Sequence, residues 1–168
     1  GIYLYHPNGA PLTLTDNLIE VATSDWAVKL EFGANANYPV TVFSGNTVTN
    51  LNGQGVNFYF LYGGITAASN TVRSLDSGIE LSVVAGQVEV TDNDVLSLRG
   101  YRSGDGIEVY EPGYSDLPTV LSASGNRVEG YENGLRINGN NNAIVSSITD
   151  NTLIGNGYGI RMQQLQGT

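Results

Sequence analysis

The chain of 168 residues has no cysteine. A disulfide framework and Cys-ligated zinc are therefore excluded. It has one histidine, His6, so His-cluster metal sites are excluded and an imidazole base is not expected. Neither a metal nor another cofactor is expected. Basic residues are scarce: 7 Lys and Arg stand against 16 Asp and Glu, a formal net charge of −9. Such a chain lacks the basic surface that nucleic acid or an anionic membrane requires. Charged residues of both signs reach only 14%, well below the usual quarter. No apolar run approaches the ~18 residues of a membrane span. No window carries good helix formers with apolar residues at i, i+3, i+4 and i+7, and no Asn-x-Ser/Thr acceptor occurs.

What the chain has in abundance is turn formers and strand formers. The 22 Gly and 18 Asn fill 40 of 168 positions. Ten tyrosines, with many Val, Ile and Thr, favour strands. Apolar residues at 40%, placed regularly, argue for a folded chain over a disordered one. The expectation is an all-β protein.

Two landmarks repeat. The first is a small residue followed by apolar, any, apolar. It occurs at Gly1-Ile2-Tyr3-Leu4, Ala27-Val28-Lys29-Leu30, Gly55-Val56-Asn57-Phe58, Gly78-Ile79-Glu80-Leu81, Gly106-Ile107-Glu108-Val109, Gly134-Leu135-Arg136-Ile137 and Gly159-Ile160-Arg161-Met162, at intervals of 26, 28, 23, 28, 28 and 25. The second is an asparagine with an aliphatic residue two positions on: Asn17/Ile19, Asn46/Val48, Asn70/Val72, Asn93/Val95, Asn126/Val128 and Asn151/Leu153. The two alternate strictly. Three short strands per unit of ~25 residues, with no helical connector, describe a coil of a parallel β-helix.

Side chains alternate between the two faces of a strand. Both positions flanking the variable one are apolar in all seven units. They are expected to form two inward columns, each residue stacked on its equivalent ~4.8 Å along the axis. A one-residue slip turns both columns outward, so register is strongly specified. At the corners, asparagine tolerates the left-handed backbone region. Stacked copies at Asn17, Asn46, Asn70, Asn93, Asn126 and Asn151 are expected to form an amide ladder.

The elements Ser69-Asn70-Thr71-Val72 with Ser77-Gly78-Ile79-Glu80-Leu81, and Asp150-Asn151-Thr152-Leu153 with Tyr158-Gly159-Ile160, resemble the right-handed parallel β-helix repeat of the pectin-lyase-like superfamily, in its secreted and surface form. The resemblance covers essentially the whole chain and is specific for fold, not activity. It implies a right-handed solenoid, in line with the chirality of parallel crossovers, of about six coils and ~30 Å in length. Gly1 and the last residues fall mid-coil, and solenoids need caps. Residues 1–168 are therefore expected to form one segment that continues into a longer chain at both ends, or whose ends neighbouring subunits cover.

The resemblance implies that functional groups sit on outward strand positions. The outward column here is Tyr3, Lys29, Asn57, Glu80, Glu108, Arg136 and Arg161. Glu80 and Glu108 fall on adjacent coils, a spacing that suits a retaining glycosidase pair or part of a calcium site. Arg136 is one coil further. A solvated, mildly repulsive face is the plainer alternative. His6-Pro7 reads as a surface loop. The superfamily's sharper acidic and histidine motifs are missing. Asp92-Asn93-Asp94 reads as a turn cap, because the residues before the corner asparagines are Asp16, Gly45, Ser69, Asp92, Gly125 and Asp150, with no two acids adjacent. Tyr3, Tyr5, Tyr59 and Tyr110 are expected outward, with Tyr62, Tyr101 and Tyr114 in nearby loops, where rings stack on sugars or on partners. The longest irregular stretches are Gly33–Pro39 and Glu111–Pro118.

Three functions follow as expectations. The first is a structural rod segment of a secreted or cell-surface protein, in adhesion, an envelope layer or a fibre, with glycan contact through Tyr59, Glu80, Glu108, Tyr110 and Arg136. The second is a polysaccharide-active lyase or glycosidase, or its substrate-binding face. The third is a filament subunit that stacks end to end.

Overall fold

A computed structural model describes residues 1–6, 12–32, 39–100, 103–110, 119–139 and 143–163. Strands alone make up its regular structure, and they form three sheets. The first sheet stacks Ile2–His6, Val28–Phe32, Val56–Leu61, Ile79–Val84, Asp105–Tyr110, Asn133–Asn138 and Tyr158–Gln163. The second stacks Thr13–Thr15, Thr41–Ser44, Ile65–Ala68, Gly86–Thr91, Thr119–Ser124 and Ala143–Thr149. The third stacks Leu18–Val21, Thr47–Asn50, Thr71–Ser74, Asp94–Ser97, Arg127–Glu129 and Thr152–Ile154. Every pairing is parallel and joins strands one coil apart. The protein is a parallel β-solenoid with three strands per coil.

The inward columns stand as the alternation requires. Val56, Ile79 and Ile107 lie in consecutive register, as do Phe58, Leu81 and Val109, and all six are buried. The columns open at their ends: Leu4 is 38% exposed, and Ile160 and Met162 are each 46% exposed. Phe43 meets Phe58 edge to face across the interior, ring centroids 5.3 Å apart.

The landmark glycines have a steric cause. A Cβ on Gly78 would sit 2.4 Å from the Gly106 carbonyl oxygen and 2.4 Å from Val95 Cγ1. Gly55 and Gly106 face the same pair of obstacles. The third sheet's valines press so close to the start of the first sheet's strands that a methyl group has no room.

A chain of side-chain amides runs along one corner. The backbone N–H and Nδ2 of Asn17 both donate to Asn46 Oδ1, at 3.1 and 2.8 Å. Asn46 donates likewise to Asn70, Asn70 to Asn93, Asn93 to Asn126 and Asn126 to Asn151, all within 2.9–3.1 Å. Each Nδ2 from Asn46 to Asn151 also donates to a backbone carbonyl one coil back, for example Asn93 to Ala67 at 2.9 Å. The four inner members are 1% exposed, so these bonds satisfy polar groups that water does not reach.

The left-handed residue at each corner is not the asparagine but the one before it. Asp16, Gly45, Ser69, Asp92, Gly125 and Asp150 have φ of 55–68°. The asparagine's amide is committed to the ladder, so its neighbour makes the turn. This also accounts for the spacing of the acids. A Cβ on Gly45 would lie 2.3 Å from Asp16 Oδ1, and one on Gly125 would lie 2.1 Å from Asp92 Oδ1. Each of these two aspartates lies over a glycine on the next coil, which leaves no room for a second acid there.

Other expectations change in detail. His6 ends a strand, paired with Phe32, because the neighbouring strand extends the ladder to that point. Tyr62 is 6% exposed, since it follows the strand Val56–Leu61 directly into the core. Pro7, residues 33–38, Tyr101 and residues 111–118 lie outside the described residues.

Removing a ladder member strands buried donors on one side and an acceptor on the other. Asn93→Ala is expected to lower unfolding free energy by about 3 kcal/mol, and Asn17→Ala, at the half-exposed end, by about 1 kcal/mol. Urea unfolding of the two variants checks both the size and the order.

Candidate functional site

The first sheet's outward face carries the candidate side chains. Register places Lys29, Asn57, Glu80, Glu108, Arg136 and Arg161 in one column. The next column outward runs Glu31, Tyr59, Ser82, Tyr110 and Asn138. Tyr59 and Tyr110 thus flank Ser82, one coil to either side. Two strands of separation puts their backbones about 10 Å apart.

This face is not a solvated row of charges. Asn57, Ser82, Asp105, Glu108 and Asn133 are all buried, and Glu108 is only 8% exposed. Glu80 Oε1 accepts from Asn57 Nδ2 at 3.0 Å and from the Ser82 hydroxyl. Arg136 Nη1 lies 3.0 Å from Asp105 Oδ2 and 3.1 Å from Glu108 Oε1. Asn133 Nδ2 donates to Asp105 Oδ1. Two carboxyl groups, those of Asp105 and Glu108, therefore share one guanidinium, with Glu80 beside Glu108 on the adjacent strand. Among the described residues, buried Asn133 Oδ1 and Arg136 Nε have no hydrogen-bond partner.

Such a balance favours retained protons. Burial, with Asp105 and Glu80 adding repulsion, pushes the Glu108 carboxyl up to about 7 against the pull of Arg136. Burial also raises Glu80, opposed by its bond from Ser82. A carboxylic acid that keeps its proton near neutrality, beside a second carboxyl on the adjacent strand, can donate a proton to a bound ligand. No three or more His, Cys, Asp or Glu among the described residues are grouped to hold a metal ion. Arg136 already occupies the position between Asp105 and Glu108.

The structure thus brings Glu80, Glu108 and Arg136 into one cluster, with Tyr59 and Tyr110 beside it. Tyr110 is 38% exposed and Tyr59 is half-buried against Phe60, ring centroids 4.2 Å apart. Sequence reading missed Asp105. It sits directly before the landmark Gly106, outside the alternating columns, and its one signal is a carboxyl entering the same strand as Glu108. Asp94 of the corner run binds Arg127 at 3.0 Å and Arg73 at 3.7 Å, so its charge serves cross-strand pairing on the third sheet.

The folded chain holds the Glu108 proton up to about pH 7, while an ordinary glutamate releases it near 4.5. Between these values the folded state binds more protons, so stability falls as pH rises through the window. The loss is on the order of 2–3 kcal/mol. Urea midpoints recorded across this range are expected to decline for the parent chain, and to decline much less for Glu108→Gln. The chain matches no family model, no curated protein and no solved structure.

Proposed function

We propose that this solenoid is a rigid rod segment of a secreted or cell-surface protein, and that the first sheet's outward face contacts glycans. The rod reading is supported by the unbroken amide ladder and by inner columns in continuous register. The extracellular placement rests on the kind of protein the repeat resembles. The observation that carries the glycan reading is the pair Tyr59 and Tyr110 flanking Ser82, with Glu80 and Glu108 one column away. Tyrosine rings offer stacking faces for sugars, and the carboxyls offer hydrogen bonds to hydroxyls. Arg136 is engaged by Asp105 and Glu108, and the chain's net charge is −9. The ligand class is therefore a neutral glycan rather than a polyuronic acid.

A second reading, a polysaccharide-active enzyme, is favoured by one observation: Glu108 holds a proton near neutrality beside Glu80. One set of variants separates the two. Neutral oligosaccharides derived from xylan, galactan and cellulose are titrated calorimetrically, with polygalacturonate as the anionic control. Tyr59→Ala and Tyr110→Ala are expected to weaken neutral-glycan binding about tenfold each. Glu80→Gln and Glu108→Gln are expected to weaken it as well, with no new reducing ends formed by the parent chain. Reducing ends that form with the parent and vanish in Glu108→Gln establish the enzyme instead. Binding unchanged in all four variants removes the glycan reading.

A further inference from the structure

The second sheet's outward face differs from the other two. Its column nearest the asparagine corner reads Thr15, Ser44, Ala68, Thr91, Ser124 and Thr149, in register from strand to strand. The parallel column two residues earlier adds Thr13, Thr66, Ser122 and Ser147. The interruptions are mostly small and apolar, Val42 and Ala68, and the single charge in these two columns is Glu89. The first and third sheets, by contrast, carry Lys29, Glu108 and Arg136, and Arg73, Asp94 and Arg127, on their outward faces.

Two features make this face a lattice. Strand pairing sets its hydroxyl groups about 4.8 Å apart along the axis, and the strand rise sets them about 6.7 Å apart across it. Phe43, Ala67, Val90 and Ala123 fill the space behind it, so the strands are held rigidly. In the corner column, the hydroxyl groups of Thr15, Ser44, Thr91, Ser124 and Thr149 bond to no other described side chain.

The chemistry of the face narrows its occupant. Among its described residues, these two columns carry no aromatic ring to stack on a sugar. They lack the Trp, Tyr and Arg anchors of a protein interface, and the basic groups that nucleic acid requires. An array of short hydroxyl and methyl groups with one charge, Glu89, and one register shift, between Leu121 and Ser122, is complementary to an uncharged lattice of hydrogen-bonding oxygens. Hexagonal ice repeats its oxygens at two intervals close to those of this face. We propose that the outward face of the second sheet binds ice. The inference is independent of the glycan reading, which concerns a different sheet.

The test is incorporation into ice. The purified chain, mixed with labelled albumin as a non-binding control, is frozen slowly onto a cold probe with stirring, and the ice fraction is assayed. The parent chain is expected to enter the ice while albumin is excluded. Thr91→Tyr and Ser124→Tyr, both on the outward face, are expected to be excluded like albumin. Thr71→Tyr, on the third sheet, is expected to enter as the parent does, and Glu89→Thr to enter at least as well. Circular dichroism melts establish that each variant is folded. Exclusion of the folded parent chain overturns the proposal. So does undiminished incorporation of a folded Thr91→Tyr or Ser124→Tyr chain.

Discussion

The structure depends on one requirement: every coil must stack on the next in the same register, with the buried corner amides paired. Asn46, Asn70, Asn93 and Asn126 are withdrawn from water, and each Oδ1 accepts two hydrogen bonds from the coil before. A slip of one residue leaves those amides unpaired in the interior and at the same time turns the apolar columns outward. Hydrophobic burial alone tolerates exchanges among aliphatic residues. The ladder does not, because only a short primary amide both accepts from one neighbour and donates to the next.

Because the register is fixed, the outward faces become ordered surfaces. On the first sheet it brings Glu80 beside Glu108 and Glu108 beside Arg136. Asp105, entering the same strand as Glu108, then completes a cluster with three carboxyls and one guanidinium. Burial, with repulsion from Asp105 and Glu80 added against the pull of Arg136, is what raises Glu108. On the second sheet the same register lines up short hydroxyl side chains. One device thus yields a buried carboxyl cluster on one side of the solenoid and columns of short hydroxyl side chains on another.

The inner columns were legible because alternation of apolar and variable residues after a glycine has only one physical reading when it recurs at coil length. What identity alone does not reveal is which residue bends. Asparagine tolerates the left-handed region, yet here its predecessor adopts it, since the ladder already constrains the asparagine. Nor does alternation tell which outward residues lose water. Glu108 reads as solvated from its position in the strand, and Asp105 lies outside the pattern that drew attention to Glu108. Tyr131 was missed for a similar reason. It is fully buried with its hydroxyl 2.9 Å from Ser74 Oγ, in space that Gly78 and Gly106 leave open: a Cβ on either would come within 3.2 Å of it. That fit involves three coils and has no signature within any one of them.

The most direct test is native-state hydrogen exchange at the backbone amides of Asn46, Asn70, Asn93 and Asn126. If the ladder holds the coils in register, these four protons exchange only when the whole chain unfolds. Their opening free energies then equal the global value and fall with urea at the global slope. Exchange at the rate of exposed corner amides, or through local openings insensitive to urea, would show that the coils are held together by something else.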